Sequence, residues 1–272
     1  MKKLLALVMA LMLCLTLGAG ALADGSQILK YGTDTWPAGF DPHTISAIAA
    51  TRVFNQVYET LLTFNKDMTF GGVLAESWEN PDDMTYVFHL RHGVKFHNGE
   101  QMTADDVVFS YDKAQASPKQ ASYVRPLDHA EKVDDYTVKI VMKSSFSPIG
   151  HMLHKVKILS QKEVLEQGDN FGKIANKAGT GPYMWDENNY NPKTSWSAVA
   201  FEDYYRGKAA IERVTWNVIE DDTSAITALQ NGEVDYMVVP ISYWEDVKST
   251  GKFTCVEKQS NEVMPFCINI ES

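Results

Sequence analysis

Cysteine is nearly missing from this chain: three among 272 residues, at positions 14, 255 and 267. So few exclude a disulfide-built scaffold. Cys255 and Cys267 could join neighbouring strands in an oxidising compartment, but two small buried apolar residues suit them better. Neither has a basic cluster beside it to lower a thiol pKa. Positive charge is also short. Twenty-five Lys and Arg against 35 Asp and Glu leave a net charge of −10, which excludes nucleic acid as a partner, since phosphates need a basic surface. The G-x-S-x-G elbow, the G-x-x-x-x-G-K-[ST] loop, G-x-G-x-x-G, helical H-E-x-x-H and zinc-spaced Cys/His pairs are all absent. No cofactor, metal or catalytic residue is therefore expected, and the chain does not read as an enzyme. Long apolar runs are lacking too, except at the very start.

That exception is "MKKLLALVMALMLCLTLGAGALA", residues 1–23. A basic start, a short greasy core and an A-x-A exit make a secretory signal peptide. The greasy part nearly reaches the roughly 20 residues of a membrane span, but Gly18, Gly20 and the small-residue exit favour cleavage after Ala23. Leu13 before Cys14 does not fit a lipidation site. The protein is expected to be exported, periplasmic or cell-surface, and a monomer.

What is present reads as alternating strands and helices. A strand at 26–34 ends in the irregular "TDTWPAGFDPHT", and a helix follows whose stripe is Ile45, Ala49, Val53 and Val57. Tyr86, Phe88 and Leu90 alternate with polar neighbours as in a strand with one buried face. A turn at His92-Gly93 and renewed alternation at Val94 and Phe96 suggest a hairpin closed by Asn98-Gly99. Thr103 with Asp106 has the form of a capping box, and Val107, Val108, Tyr111 and Ala114 give the next helix its buried face. Further strands are expected at 136–143, 196–201, 212–219, 234–239 and 253–258. Helices are expected near 160–167, at 222–231 ending at Gly232, and in "SYWEDVKS". "NKAGTGPYMWDE" (176–187) reads as a connector. Strand–helix–strand after it implies a parallel α/β sheet.

Two groups of residues invite a chemical reading. His89, His92, His97 and Glu100 resemble a metal cluster, yet the alternation puts His89 and His97 on a polar strand face and His92 in a turn, so solvated residues are the better account. Asp105 and Asp106 point about 100° apart on a helix and are explained by capping. The loop 33–43 is more promising. It follows a strand, where α/β sheets bind ligands, and it carries Trp36 and Phe40, which either face a pocket or pack on the following helix.

The segments "DPH", "VYETLLTFN", "LAESWENPDDMTYVFHLRHGVKFHNGEQMTADDVVFSYDKA", "GTGPY", "YYRGKAAIERV" and "ALQNGEVDYMVVP" occur in that order. Together they resemble the extracellular solute-binding proteins of the peptide/nickel class, family 5, the substrate-binding components of ABC importers. The likeness is most specific over residues 74–114 and good over 179–239. It implies a periplasmic-binding-protein-like lobe, a mixed sheet with flanking helices, from residues 24–52 and 180–265. An inserted α+β side domain would occupy 53–179, with a crossover beginning at 266–272. It also implies peptides or a related small solute as ligand, and membrane permease subunits as partners. Members of the class are about twice as long, so the second lobe is expected to be absent, the sheet to show an unpaired edge, and binding to be impaired. Thr33, Asp34, Trp36 and Phe40 are the ligand-binding candidates, with Tyr243 and Trp244 behind them. A single-lobe interaction or chaperone-like protein is the alternative. A secreted hydrolase using Asp105, Asp106 and His97 is a more distant one.

Overall fold

A computed structural model describes residues 27–257, apart from 36–37, 66, 68, 146–148 and 192. The leader at 1–23, Trp36 and Cys267 lie outside the described residues, as does the 266–272 crossover. Two sheets dominate, beside a short antiparallel pair, β2 (Leu62–Phe64) and β3 (Phe70–Gly72). The first is built around β5 (Thr85–Leu90), whose buried Tyr86, Phe88 and Leu90 alternate with less buried neighbours as the sequence implies. It lies between β4 (Ala75–Asp82) and β7 (Thr137–Met142), with β6 (Leu127–Asp134) beyond, all antiparallel in the order β4-β5-β7-β6. The helix α2 (Ala104–Ala116) lies against β6 and β7, and the short helix α3 (Ile149–Leu153) follows the sheet in sequence. This four-stranded unit is called the side sheet below.

The hairpin expected at 85–97 does not form. Both edges of β5 are taken by β4 and β7, so residues 94–97 have no strand to join and make only a Lys95–Gln101 bridge. Val94 and Phe96 are fully buried nonetheless. Burial at alternate positions here reflects a tight loop seated on the core.

The second, main sheet has the order β11-β1-β10-β9-β8. Its parallel part is β1 (Ile28–Thr33) between β10 (Arg213–Val218) and β11 (Tyr236–Met237). The helix α5 (Asp222–Asn231) connects β10 to β11; Asp221 caps its start by accepting from Ser224 N–H at 2.8 Å, and Gly232 ends it in the left-handed region. The antiparallel part is β8 (Tyr183–Asn191) and β9 (Ser195–Ala200), where Trp196 stacks on Trp216 of β10 at 5.9 Å. Helix α1 (Ile48–Val57) packs on this sheet through Val53, Phe54 and Val57. These residues share the main-sheet core, although the family resemblance would count them with an inserted domain at 53–179. The side-sheet core begins at Leu61 and ends at Ile158.

Two expected strands shrink or vanish. The one at 234–239 keeps only Tyr236 and Met237, because β11 is a sheet edge among the described residues and Pro240 follows closely. Residues 253–257 are not a strand. Conversely β8 begins at Tyr183, inside the expected connector, so only the stretch before it is loop. Gly179 and Gly181 there pass so close to the Val57 carbonyl that a Cβ on either would collide with it. Gly181 N–H donates to that carbonyl at 2.9 Å.

Candidate functional site

Of the two clusters tested for chemistry, the structure dismantles the histidines and keeps Asp106 as a cap. Thr103 N–H donates to Asp106 Oδ2 at 3.0 Å, and Gln161 N–H donates to Oδ1 at 3.0 Å, tying α2 to α4 (Gln161–Gln167). Asp105 pairs outward with Lys132 at 2.8 Å. His89 lies on the outer face of β5 near Glu79, and His92 stacks on Tyr136. His97 corrects the sequence reading: it is 6 % exposed and not solvated. Its backbone N–H donates to Gly179 O and its Nε2–H to Gly181 O, both at 2.9 Å, so it fastens the 94–97 loop to the GTGPY connector. Burial pulls its pKa down to about 4.

The concave region lies elsewhere, where the carboxyl ends of β1 and β11 meet α1. Two adjoining hollows share Arg52, an exposed residue on the far side of α1 from the buried stripe. The first, about 340 Å³, is lined by Tyr31, Thr33, Asp34, Asp222, Met237 and Pro240 among others. Parallel strands ending side by side leave such a crevice. Arg52 lies close to the Tyr31 hydroxyl, whose pKa is raised by burial and partly drawn back by that charge. The second hollow, about 420 Å³, opens between α1 and the side-sheet unit; Ile45, Asn55, Tyr123, His154, Lys155 and Lys157 line it. Lys157 Nζ donates to Asn55 Oδ1 at 2.7 Å, and Lys155 Nζ stands 5.8 Å from the centre of the Tyr123 ring. Among the described residues, no Asp or Glu lines this second hollow.

The expected ligand residues divide. Thr33 and Asp34 line the first hollow. Phe40 does not face solvent: it is 2 % exposed, sits edge-on to Trp185 at 5.0 Å and lies beside Tyr190. Its carbonyl accepts from Tyr58 O–H at 2.7 Å and from Asn176 at 3.1 Å. It is a core residue, with its ring against β8. Trp244 begins the short helix α6 (Trp244–Ser249) and lines a separate hollow of about 590 Å³ beside β11, with Phe253 and Cys255. Tyr243 O–H shares a 2.8 Å hydrogen bond with Thr223. The sequence reading missed Arg52, Tyr123, Lys155 and Lys157. The signal available was a set of bases spaced among apolar residues in an acidic chain, which is also what an ordinary solvated helix face shows.

A mixed five-stranded sheet with a crevice at its parallel carboxyl ends, carrying a second antiparallel unit on one flank, defines a lobe of the periplasmic-binding-protein type. Residues 69–272 match the family described as bacterial extracellular solute-binding proteins, family 5 Middle, and the chain belongs to this family, the solute-binding proteins of ABC importers. It is 29 % identical to heme-binding protein A of Haemophilus influenzae, over 92 % of this chain and 51 % of that one. It is 28 % identical to the glutathione-binding protein GsiB of Pectobacterium atrosepticum, over 81 % and 44 %. Among solved structures, the oligopeptide-binding protein AppA of Bacillus subtilis in complex with a nonapeptide superposes with a TM-score of 0.72 at 27 % identity, covering 81 % of this chain and 45 % of that one. The chain thus spans about half the length of the curated relatives it matches. No helix among the described residues is long and apolar enough to cross a membrane.

Proposed function

We propose that this chain supplies one wall of the capture site for peptides, or a related small solute, handled outside the cytoplasm and passed to the permease subunits of an importer. In this reading the main-sheet unit is a first lobe and the side-sheet unit its inserted domain. The observation that carries the proposal is the pair of hollows that share Arg52, one at the carboxyl ends of β1 and β11 and one at the flank of the side sheet. Thr33 and Asp34 are its ligand-facing residues on the β1 side, whereas Trp244 lines the separate hollow beside β11.

Binding proteins of this architecture grip by closing two surfaces on the solute, with differential contacts in the closed state driving the hinge. A tight small-molecule site buries roughly 70–90 % of its ligand. The groove formed by the described residues is open on one side, so a bound solute keeps much of its hydration there. Calorimetry on the purified chain should accordingly show no peptide binding at micromolar strength or tighter. Weak contact is still readable by amide chemical-shift mapping with a mixed tetrapeptide pool at millimolar concentration. Shifts gathered on 31–34, 52, 123 and 154–157 support the reading; shifts gathered on α6, or none at all, overturn it.

A further inference from the structure

The groove's second hollow departs from the rest of the molecule in its charge. The chain as a whole is acidic, at −10, and its other lysines and arginines repeatedly pair with carboxylates. Lys113 meets Asp41 at 2.6 Å, Lys132 meets Asp105 at 2.8 Å and Lys139 meets Glu131 at 2.7 Å. Arg52, Lys155 and Lys157 line one hollow together, and the ion pairs found among the described residues include none of them. Within this hollow their neighbours are the Tyr123 ring and the Asn55 amide oxygen; Arg52 also borders the first hollow, beside the Tyr31 hydroxyl, where Asp34 and Asp222 lie. The buried carboxylate closest in influence to Lys157 is that of Glu59. Its oxygens already accept from Tyr204 at 2.9 Å, Tyr205 at 3.2 Å and Thr180 at 3.1 Å. Three cations lining one hollow repel one another, and burial penalises the charged form of Lys157 further. Such an arrangement costs stability unless something negative enters.

We infer that this hollow seats a carboxylate of the solute, held between Arg52, Lys155 and Lys157, and that the groove therefore selects anionic solutes over neutral and cationic ones. The inference rests on the reading of the groove as a capture wall and adds its charge preference. Arg52 offers a planar fork suited to two carboxylate oxygens, and the lysines act as point charges on either side. Tyr123 gives the adjoining part of the solute an apolar and polarisable face. The same chemistry would serve the C-terminus of a peptide or a small organic polyacid.

Both sources can be separated by titrating the full chain with three probes and following amide shifts: tetra-alanine, tetra-alanine C-terminal amide, and citrate. The free-acid peptide should bind about tenfold more tightly than its amide, the gain expected of a charged hydrogen-bonded contact. Arg52→Gln or the exposed Lys155→Gln should each cut acid binding about tenfold while leaving amide binding alone. Lys139→Gln, a charge-matched change on the side sheet, should do nothing. Citrate shifting the same residues shows that any suitably placed carboxylate suffices, and citrate without effect assigns the pocket to peptide termini. Equal binding of acid and amide overturns the charge preference and leaves the capture wall standing. Silence of the groove towards every probe overturns both.

Discussion

The side sheet and the β11 end of the main sheet differ in how much apolar surface they leave in water. Around the side sheet, Phe88, Phe96, Met102, Val107 and Tyr111 are wholly buried in one continuous core that also takes in Leu153 and Ile158. Around β11 the core is a small group, Ile226, Ala228, Leu229, Val234 and Val247. Beside it Ile241 is 94 % exposed and Val256 78 % exposed, with Tyr236 and Val238 also open. Antiparallel strands that neighbour one another in sequence can complete a core locally. A parallel edge strand of two residues cannot, because its second hydrogen-bonding side needs a partner from elsewhere. Stability is accordingly concentrated in the first region, and the surfaces suited to recognition lie in the second and in the groove between them.

The sharpest way to break this contrast is to hollow out the side sheet. Phe88→Ala removes a fully buried ring from the middle strand and should cost about 3–5 kcal/mol in urea unfolding. A loss under about 1 kcal/mol would mean that the side sheet is not the stable half.

Legibility follows the same divide. In the side sheet, the alternation at 85–90, the cap at Thr103 and Asp106 and the buried face of α2 could all be read from local pattern, since each is decided by residues within one turn or strand. Gly232 marked the end of α5 for the same reason. What escaped was decided at a distance. His97 lies in a polar stretch, "FHNGE", and is buried only because Gly179 and Gly181 arrive over it from more than 80 residues away. Phe40 shares a loop with exposed residues and is buried by Trp185 and Tyr190. The cationic hollow was invisible for a related cause: Arg52, Tyr123 and Lys157 come from three separate elements, and no spacing rule connects them.

The junction that joins the two regions should fail first in acid. His43 and His97 are both fully buried, and burial lowers each from 6.5 to about 4. His43 Nε2–H donates to Lys157 O at 2.8 Å and His97 Nε2–H to Gly181 O, so each is held as the neutral tautomer. A base whose folded pKa is depressed binds its proton more readily in the unfolded chain. The stability it contributes is complete above about pH 6.5 and is lost as pH falls towards 4, by about 3 kcal/mol per histidine. His97→Gln can keep the donor to Gly181 O without the titration. It should flatten the pH dependence of the urea midpoint between pH 6.5 and 4 by about one proton. An unchanged slope would show that the junction does not hold His97 neutral.

A smaller effect should sharpen the groove's part in the contrast. Desolvation lowers the Lys157 pKa to about 8; Glu59 opposes that shift and Lys155 adds to it. Asn55 accepts from its ammonium, His43 meets its carbonyl, and Arg52 lines the same hollow. Lys157 is charged below pH 8 and neutral above, so weak binding of tetra-alanine should fall several-fold, up to about tenfold, between pH 7 and 9. Lys157→Gln should remove that dependence. Binding that is flat over this range in the parent chain would separate Lys157 from the seat of the carboxylate.

The smallest thermodynamic effect belongs at the open end. Ile241, in the short 3-10 turn after Pro240, makes almost no buried contact, so Ile241→Ser should change unfolding free energy by no more than about 0.5 kcal/mol. Its effect should instead be on association. Exposed Tyr236, Val238, Ile241 and Val256 lie around an edge strand, and surfaces of this kind pair with other chains unless a charge or a cover intervenes. Light scattering at rising protein concentration should therefore show less self-association for Ile241→Ser than for the parent chain, with the urea midpoint unmoved. If the substitution instead lowers the unfolding free energy by about 1 kcal/mol or more, Ile241 is packed in solution and the two regions are alike in closure.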